Sequence, residues 1–388
     1  MVIKQIPVLL FLLAAIVAPC LPASDGGAPA TPAAATMPPA GERAVDLVLC
    51  LDTSGSMQGL IDAARQKLWA IVNDLALAKP TPRLRVALLT YGNDGHPAEV
   101  GWVKIETPLT DDLDLVSRRL FEQTTNGGTE LVARVLQKAL DSLGWTASEE
   151  SLKLIFVAGN ESADQDQQVS FRDVCKRAIE RGIMVNSIYC GNPMDEIAPA
   201  WREVATLADG HFAAIDQNSG TVVIETPFDE ELAALSGAVN ATYLPFGAGG
   251  EAGGANQVAQ DANAKNLSKE AAAARAVTKG QSLYRCNWDL VDACAKGQVK
   301  LEDLKDEDLP ESMRKLTVEE RRKFLQEMGA KRSEVQAKIQ AAAKKRQDYI
   351  TAQLAKGGLD DEKSFDHAVR SAVRAQACRK GFEFEEGK

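Results

Sequence analysis

Six short apolar runs alternate with helical patterns between residues 43 and 227. The runs lie at 45–51, 85–91, 103–107, 154–157, 183–190 and 211–215. The intervening stretches carry apolar residues at helical spacing, as Leu60, Ala64 and Leu68 do. Strands that alternate with helices in this way predict a doubly wound α/β domain, with a mainly parallel six-stranded sheet covered on both faces. Ligands of such sheets bind at the carboxyl ends of the strands.

Helical patterns dominate the chain after residue 227. The predicted segments are a packing helix at 230–244, a mobile glycine- and alanine-rich stretch at 247–256, and helix at 262–304. Thr317 and Glu320 have the spacing of a capping box, which predicts that a long charged helix begins there and continues to about residue 356. Its apolar residues repeat every seven positions, and a second helix around Phe365 would complete a helical hairpin. The hairpin either covers part of the same chain or forms a coiled coil with a partner.

Composition divides the chain into five segments. They are an export signal at 1–23, an Ala-, Pro- and Gly-rich linker at 24–42, the α/β domain at 43–227, a mixed helical and flexible extension at 228–310, and charged C-terminal helices at 311–388. Lys4 followed by an apolar core and small residues is typical of export. An uncleaved anchor and a lipoprotein attached through Cys20 are alternatives, although Pro19 is unsuited to lipoprotein processing. We expect a protein that is secreted, periplasmic or in the cell envelope, and that meets a membrane only through an uncleaved or lipidated N-terminus.

Charge and cysteine content narrow the classes of partner. The formal net charge of −10 excludes nucleic acid as a general partner, because nothing would neutralise phosphates in bulk. Six cysteines follow the export signal. Cys50 and Cys190 lie in apolar runs, as buried free cysteines do, and Cys286 and Cys294 would lie about 12 Å apart on a helix, too far for a bridge. We expect few or no disulfides.

The first apolar run ends in a polar sequence with a chemistry of its own. Asp52 supplies a carboxylate oxygen, Ser54 and Ser56 supply hydroxyl oxygens, and Gly55 permits the tight turn that would bring them together. An oxygen-only set suits Mg²⁺, Mn²⁺ or Ca²⁺ better than zinc. In the alternative interpretation, the serines only cap the next helix. A haloacid-dehalogenase-type phosphatase is excluded, since it needs an aspartate where Ser54 stands.

This sequence resembles the D-x-S-x-S motif of the von Willebrand factor A domain, where it forms a metal-ion-dependent adhesion site (MIDAS). A second motif of that family, Gly-Gly-Thr, is matched by Gly127, Gly128 and Thr129. The resemblance covers residues 43 to 216 and implies a Rossmann-like fold with Thr129 as a further metal ligand. The whole chain also resembles exported bacterial proteins of this family that have no assigned biochemical activity.

One ligand of the family pattern has no direct match. The family places an aspartate after the fourth strand, whereas Gly159 or Asn160 stands there in this chain. The amide oxygen of Asn160 is the candidate replacement, with Glu161 or Asp164 as carboxylates that could reach the site. Without such a replacement the site carries one negative charge less, and the cation would bind more weakly. The site is then either functional or vestigial.

The resemblance implies a non-enzymatic protein that mediates protein–protein interaction or adhesion. An acidic side chain of a protein partner would complete the coordination of the cation. The alternatives are a scaffold that makes its contacts through the C-terminal helices, with a vestigial metal site, and a metal-assisted hydrolase, for which a general base is missing. The three histidines, at 96, 211 and 367, are scattered, and no P-loop or G-x-S-x-G elbow occurs. The sequence does not set the oligomeric state.

Overall fold

The computed structural model of the chain describes residues 43–216, 223–356 and 364–384. The predicted export signal and linker, residues 1–42, lie outside the described residues. Among the helices of the described ranges, none is both long and apolar enough to cross a membrane. The six cysteines that follow the predicted signal are all present as free thiols in these ranges, four of them buried.

Eight strands are described, six of which form the central sheet. Those six are β1 (Ala44–Asp52), β3 (Arg83–Tyr91), β4 (Val103–Thr110), β5 (Leu152–Gly159), β6 (Met184–Tyr189) and β7 (Phe212–Ala214). Their order is β4-β3-β1-β5-β6-β7, with β4 antiparallel to β3 and the other neighbours parallel. The prediction of a mainly parallel six-stranded sheet is confirmed. Two short strands, β2 (Ala78–Lys79) and β8 (Glu383–Phe384), pair separately.

Helices cover both faces of the sheet because β1 presents apolar side chains to both of them. Leu47 and Leu49 pack into a core with α1 (Gln58–Leu75), α2 (Leu113–Phe121) and α11 (Phe365–Arg379). Val48 and Cys50 pack into a second core with α3 (Val132–Ser142), α4 (Phe171–Glu180) and α5 (Ala198–Leu207). Both faces of this central strand are therefore dry, as a doubly wound fold requires.

The remaining helices form a second region. They are α6 (Asp229–Asn240), α7 (Gly250–Leu267), α8 (Lys269–Lys279), α9 (Leu290–Ala295) and α10 (Val318–Ala355). The predicted capping box is present at the start of α10, where Thr317 and Glu320 bond reciprocally. Val335 and Ile339 of α10 are buried against α6 and α8. The large helical C-terminal region is thus packed around a core of its own.

The predicted hairpin of α10 with a second helix is wrong. Phe365, Val369 and Val373 of α11 belong to the core beneath the sheet, and α11 packs on α1. α10 packs on α6 and α8 instead. The two helices do not pair, because the apolar face of each is buried against other elements of the same chain. The apolar positions of α10 are therefore covered by its own chain.

The mobile stretch predicted at 247–256 is also wrong, because α7 begins at Gly250. The indole of Trp288 lies against this helix, and a Cβ at Gly253 would come within 2.3 Å of its ring. The glycines of α7 serve close packing here. The helix predicted at 262–304 is interrupted, since residues 281–289 are irregular. Trp288 belongs to this irregular segment.

Two glycine substitutions test this packing, because they are expected to change the free energy of unfolding in opposite directions. Gly253→Ala is expected to lower the free energy of unfolding by about 1–3 kcal/mol, because the added methyl overlaps the Trp288 ring. Gly237→Ala in α6 is the matched control, since nothing lies within 4 Å of a Cβ there, and it is expected to raise stability by about 0.5–1 kcal/mol. Urea unfolding followed by circular dichroism measures both. Equal effects of the two changes would contradict the packing described.

A buried ion cluster joins the helical region to the sheet domain. Arg275 of α8 is 1% exposed. Its guanidinium donates to Asp114 Oδ1 of α2 at 2.7 Å, to Asp261 of α7, and to Gln257 O at 3.0 Å. It also lies over the ring of Trp69 of α1, 4.7 Å from the centroid. The cluster fixes α7 and α8 to the helices of the sheet.

Candidate metal centre

The polar turn after β1 lies where the strand order of the sheet reverses. β1 has β3 on one side and β5 on the other, and ligands of doubly wound sheets bind at such a switch point. Asp52, the last residue of β1, is 0% exposed. The backbone N–H of Ser54 donates a 2.8 Å hydrogen bond to Asp52 Oδ1. One oxygen of the carboxylate is thereby fixed within the turn.

The serines of this turn do not cap the following helix. α1 begins after Met57, and its N-terminus has no side-chain cap among the described residues. The hydroxyl oxygens of Ser54 and Ser56 lie 3.4 Å apart. Ser54 is buried and Ser56 is exposed. The interpretation of these serines as helix caps is therefore wrong.

The loop that precedes Thr129 is tied to the turn by backbone hydrogen bonds. Asn126 N–H donates to Thr53 O at 3.0 Å, and Gly55 N–H donates to Gly127 O, also at 3.0 Å. The two loops hold each other through groups that every residue carries. Their relative position therefore depends on the fold, with little dependence on their side chains.

Thr129 itself lies beside the turn. It forms an antiparallel bridge with Gly92, which follows Tyr91, the partner of Asp52 in the sheet register. A Cβ at Gly92 would lie 2.8 Å from Asp52 Oδ1 and 3.5 Å from Ser54 Cβ. The backbone of Thr129 is thus paired with a residue that lies beside both Asp52 and Ser54.

In the loop after β5, it is Asn160 that reaches the turn. Its side-chain amide bonds to Ser56 Oγ, with Nδ2 at 3.2 Å. Gly159 has no room for a side chain, because a Cβ there would lie 2.4 Å from Tyr91 Oη and 3.1 Å from Asp52 Oδ2. Of the two positions that the sequence left open, only 160 can therefore supply a ligand atom.

The two carboxylates proposed as replacements lie further out. Asp164 pairs with Arg172 of α4 at 2.7 Å. Glu161 is exposed, and its backbone carbonyl accepts a 2.8 Å hydrogen bond from Trp201 Nε1. Glu161 therefore lies at the rim of the centre, whereas Asp164 is engaged by an arginine.

Sequence reasoning missed Glu130, which follows Thr129. It is 4% exposed, and a Cβ at Gly92 would lie 2.8 Å from Glu130 Cγ, as close as it would lie to Asp52 Oδ1. The same Cβ would lie 3.5 Å from Ser54 Cβ, so the side chains of Asp52, Ser54 and Glu130 surround one point. The missed signal was an acidic residue next to a predicted ligand. A buried carboxylate at that point has no counterpart in the family motifs considered above.

Burial and mutual charge shape the electrostatics of this centre. Burial raises the pKa of Asp52 well above its usual range, and the charge of Glu130 raises it further, while hydrogen bonds from Ser54 oppose the rise. Burial also raises the pKa of Glu130, against hydrogen bonds with Asp52 and Ser54 that lower it, and the charge of Glu161 adds to the rise. Negative charge is therefore costly here unless something positive accompanies it.

Residues 46–237 match the family model of the von Willebrand factor type A domain. The chain belongs to the von Willebrand factor A (VWA) domain family. A search of curated proteins finds no match to the chain. The matched residues begin within β1 and end within α6, and they include the polar turn, Thr129 and the loop after β5.

Several solved VWA structures are similar to this chain. Proximal thread matrix protein 1 from the mussel byssus, with a zinc-occupied MIDAS motif, is 14% identical with a TM-score of 0.36, over 45% of this chain and 42% of that chain. The SpRpn10 VWA domain is 15% identical with a TM-score of 0.36, over 47% and 100%. A von Willebrand factor type A structure from Catenulispora acidiphila is 16% identical with a TM-score of 0.33, over 46% and 40%. The chain thus spans less than half of the mussel and Catenulispora chains.

The centre of this VWA domain fits a hard cation. Asp52 Oδ2 is buried without a hydrogen-bond partner among the described residues, and an orphaned buried carboxylate oxygen is unfavourable unless a donor or a cation meets it. In the same turn the hydroxyls of Ser54 and Ser56 lie 3.4 Å apart, and the amide of Asn160 bonds to Ser56. Over the described ranges no group of three or more His, Cys, Asp or Glu side chains forms a metal cluster. A bound cation would therefore depend on hydroxyl and amide oxygens as well as on carboxylates.

Proposed function

We propose that this protein is an exported, non-enzymatic binding protein whose VWA domain holds a divalent cation and, through it, an acidic side chain of a protein partner. The observation that carries the proposal is the buried, unpartnered oxygen of Asp52 beside two serine hydroxyls. Mg²⁺, Mn²⁺ and Ca²⁺ suit this donor set. The composition of residues 1–23 supports export to the periplasm, the cell envelope or the medium.

The mechanism follows from the charges of the donors. Neutral hydroxyl and amide oxygens leave a divalent cation with positive charge that a carboxylate from outside can neutralise. Ser56 is exposed and Asn160 is partly exposed, so this side of the centre faces solvent, where a partner can approach. The proposal assigns no chemical reaction to the centre, and a glutamate or aspartate of the partner would act as a ligand only.

The packing of the C-terminal helices favours the cation site as the contact surface. The first apolar positions of α10 pack against α9 and the turns that follow it, the central ones pack against α6 and α8, and those of α11 lie in the core under the sheet. Deleting these helices would expose the core. Single substitutions at the turn therefore test the proposal more cleanly than truncation does.

The test uses Mn²⁺ as the probe and water proton relaxation as the readout. Mn²⁺ is titrated into the protein and into Ser54→Ala, which is expected to weaken binding by about tenfold through the loss of one hydroxyl ligand. Ser333→Ala, on the exposed face of α10, is the matched control and should bind Mn²⁺ as the unchanged protein does. A short peptide with one glutamate should then displace metal-bound water and lower the relaxation enhancement.

The same peptide with glutamine in place of glutamate should leave the signal unchanged, and EDTA should abolish both Mn²⁺ and peptide binding. Peptide binding that persists in EDTA would contradict the cation-mediated mechanism. Equal Mn²⁺ affinity of Ser54→Ala and the unchanged protein would place the cation elsewhere.

A further inference from the structure

The acidic ligand that is absent after β5 has no space at position 159. Tyr91 Oη donates a 3.0 Å hydrogen bond to Ala158 O and is fixed there. A Cβ at position 159 would overlap that oxygen at 2.4 Å. The fold has therefore closed this route to a second carboxylate, and Asn160, which does reach the turn, is neutral.

A second carboxylate nevertheless enters the centre from the opposite side. Glu130 follows Thr129 in the loop that is tied to the turn, and its side chain flanks the same point beside Gly92 as Asp52 Oδ1 does. It is buried at 4% exposure. The Cβ of Ser54 lies 3.5 Å from that same point. The two acidic side chains and one hydroxyl therefore converge at the end of β1.

An independent observation points to a ligand between these groups. Asp52 Oδ2 and Glu130 Oε2 are both buried, and neither has a hydrogen-bond partner in the part of the chain that is described. Each orphaned oxygen is unfavourable on its own, and two carboxylates in contact repel each other. A divalent cation that binds both oxygens would remove the two penalties together.

We propose that Glu130 is a ligand of the cation at this VWA centre and supplies the negative charge that the loop after β5 lacks. This inference rests on the function proposed above. The cation is then held by Asp52 and Glu130, with the neutral oxygens around them, and the charge deficit inferred from the sequence does not exist. Affinity for hard divalent cations accordingly depends on Glu130 to a similar degree as on Asp52.

The experiment measures Mn²⁺ dissociation constants by calorimetry for full-length variants. Glu130→Gln keeps the shape of the side chain and removes its charge, so we expect at least about a tenfold rise in the dissociation constant. Glu180→Gln is the matched control, an exposed glutamate at the end of α4, and should change the dissociation constant by less than about twofold. Glu130→Asp keeps the charge on a shorter side chain and should recover part of the affinity.

Asp52→Asn separates this inference from the function on which it rests. If Asp52→Asn abolishes Mn²⁺ binding while Glu130→Gln binds like the unchanged protein, the role of Glu130 is overturned and the metal centre stands. If the unchanged protein binds no Mn²⁺, both fail. The Mn²⁺-induced rise in Tm, which should be smaller in Glu130→Gln than in Glu180→Gln, is a second readout that keeps the test decisive when affinities are weak.

Discussion

Replacing Arg275 by methionine is expected to lower the free energy of unfolding by about 3–5 kcal/mol. The arginine is 1% exposed and neutralises Asp114 and Asp261, both of which the change would leave without it. Asp114 is itself buried and also accepts a 2.6 Å hydrogen bond from Tyr284 Oη. Methionine fills a similar volume, so the effect measures the lost charge and its hydrogen bonds more than a cavity.

The control for this prediction is Arg118→Met, which removes an arginine from an ion pair in solvent. Arg118 pairs with Glu122 at 3.8 Å, with both side chains more than 40% exposed, and such pairs contribute about 0.2–1 kcal/mol. Urea unfolding, followed by circular dichroism and by tryptophan fluorescence, measures both variants. An Arg275→Met variant as stable as Arg118→Met would show that the cluster does not hold the helical region on the sheet domain.

Replacing Asp52 by asparagine is expected to invert the order of stability between EDTA and Mn²⁺. In EDTA the variant should have the higher Tm, because it lacks a buried charge beside Glu130. In excess Mn²⁺ the unchanged protein should gain about 2.7 kcal/mol at a hundred times its dissociation constant, and the variant, with an affinity at least about tenfold weaker, should gain no more than about half of that. Each kcal/mol corresponds to about 2–4 °C in Tm for a domain of this size.

The stability difference expected in EDTA between Asp52→Asn and the unchanged protein should depend on pH. Burial and the charge of Glu130 raise the pKa of Asp52 in the folded state, so the folded protein binds more protons than the unfolded chain above the ordinary aspartate pKa. The free energy of unfolding therefore falls as pH rises from about 4 through the raised pKa. Asp52→Asn should show a smaller fall, because only the raised pKa of Glu130 then contributes to it, so the advantage of the variant in EDTA should grow from pH 4 to pH 7. An Asp52→Asn variant that is less stable than the unchanged protein in EDTA at pH 7 would contradict this prediction.

The parts of the fold that sequence predicted are those in which neighbouring residues decide the outcome. The apolar runs predicted the six strands, and the capping box predicted where α10 begins. In each case the signal lies within a few residues, because burial of a strand and capping of a helix are local events. The D-x-S-x-S turn was readable for the same reason, since its oxygens come from adjacent positions.

The parts that sequence missed depend on which distant residue lies opposite. The stretch at 247–256 looks mobile by composition, yet Trp288 packs against Gly253 and makes it a helix. The sequence pattern of α11 is compatible with a hairpin with α10, whereas in the assembled core its apolar face packs on α1. Periodicity reports that a face will be buried without reporting what will bury it.

By itself the sequence determined a VWA-type doubly wound sheet with a polar turn at the end of its first strand, because periodicity and short motifs are written in consecutive residues. Only the tertiary structure decided that Tyr91 fills the space beside Gly159 and that Glu130 reaches Asp52. These are contacts between loops that are far apart in the chain, and their geometry is set by the register of β1, β3 and β5. The charge of the centre is therefore a property of the folded sheet and cannot be read from any one motif.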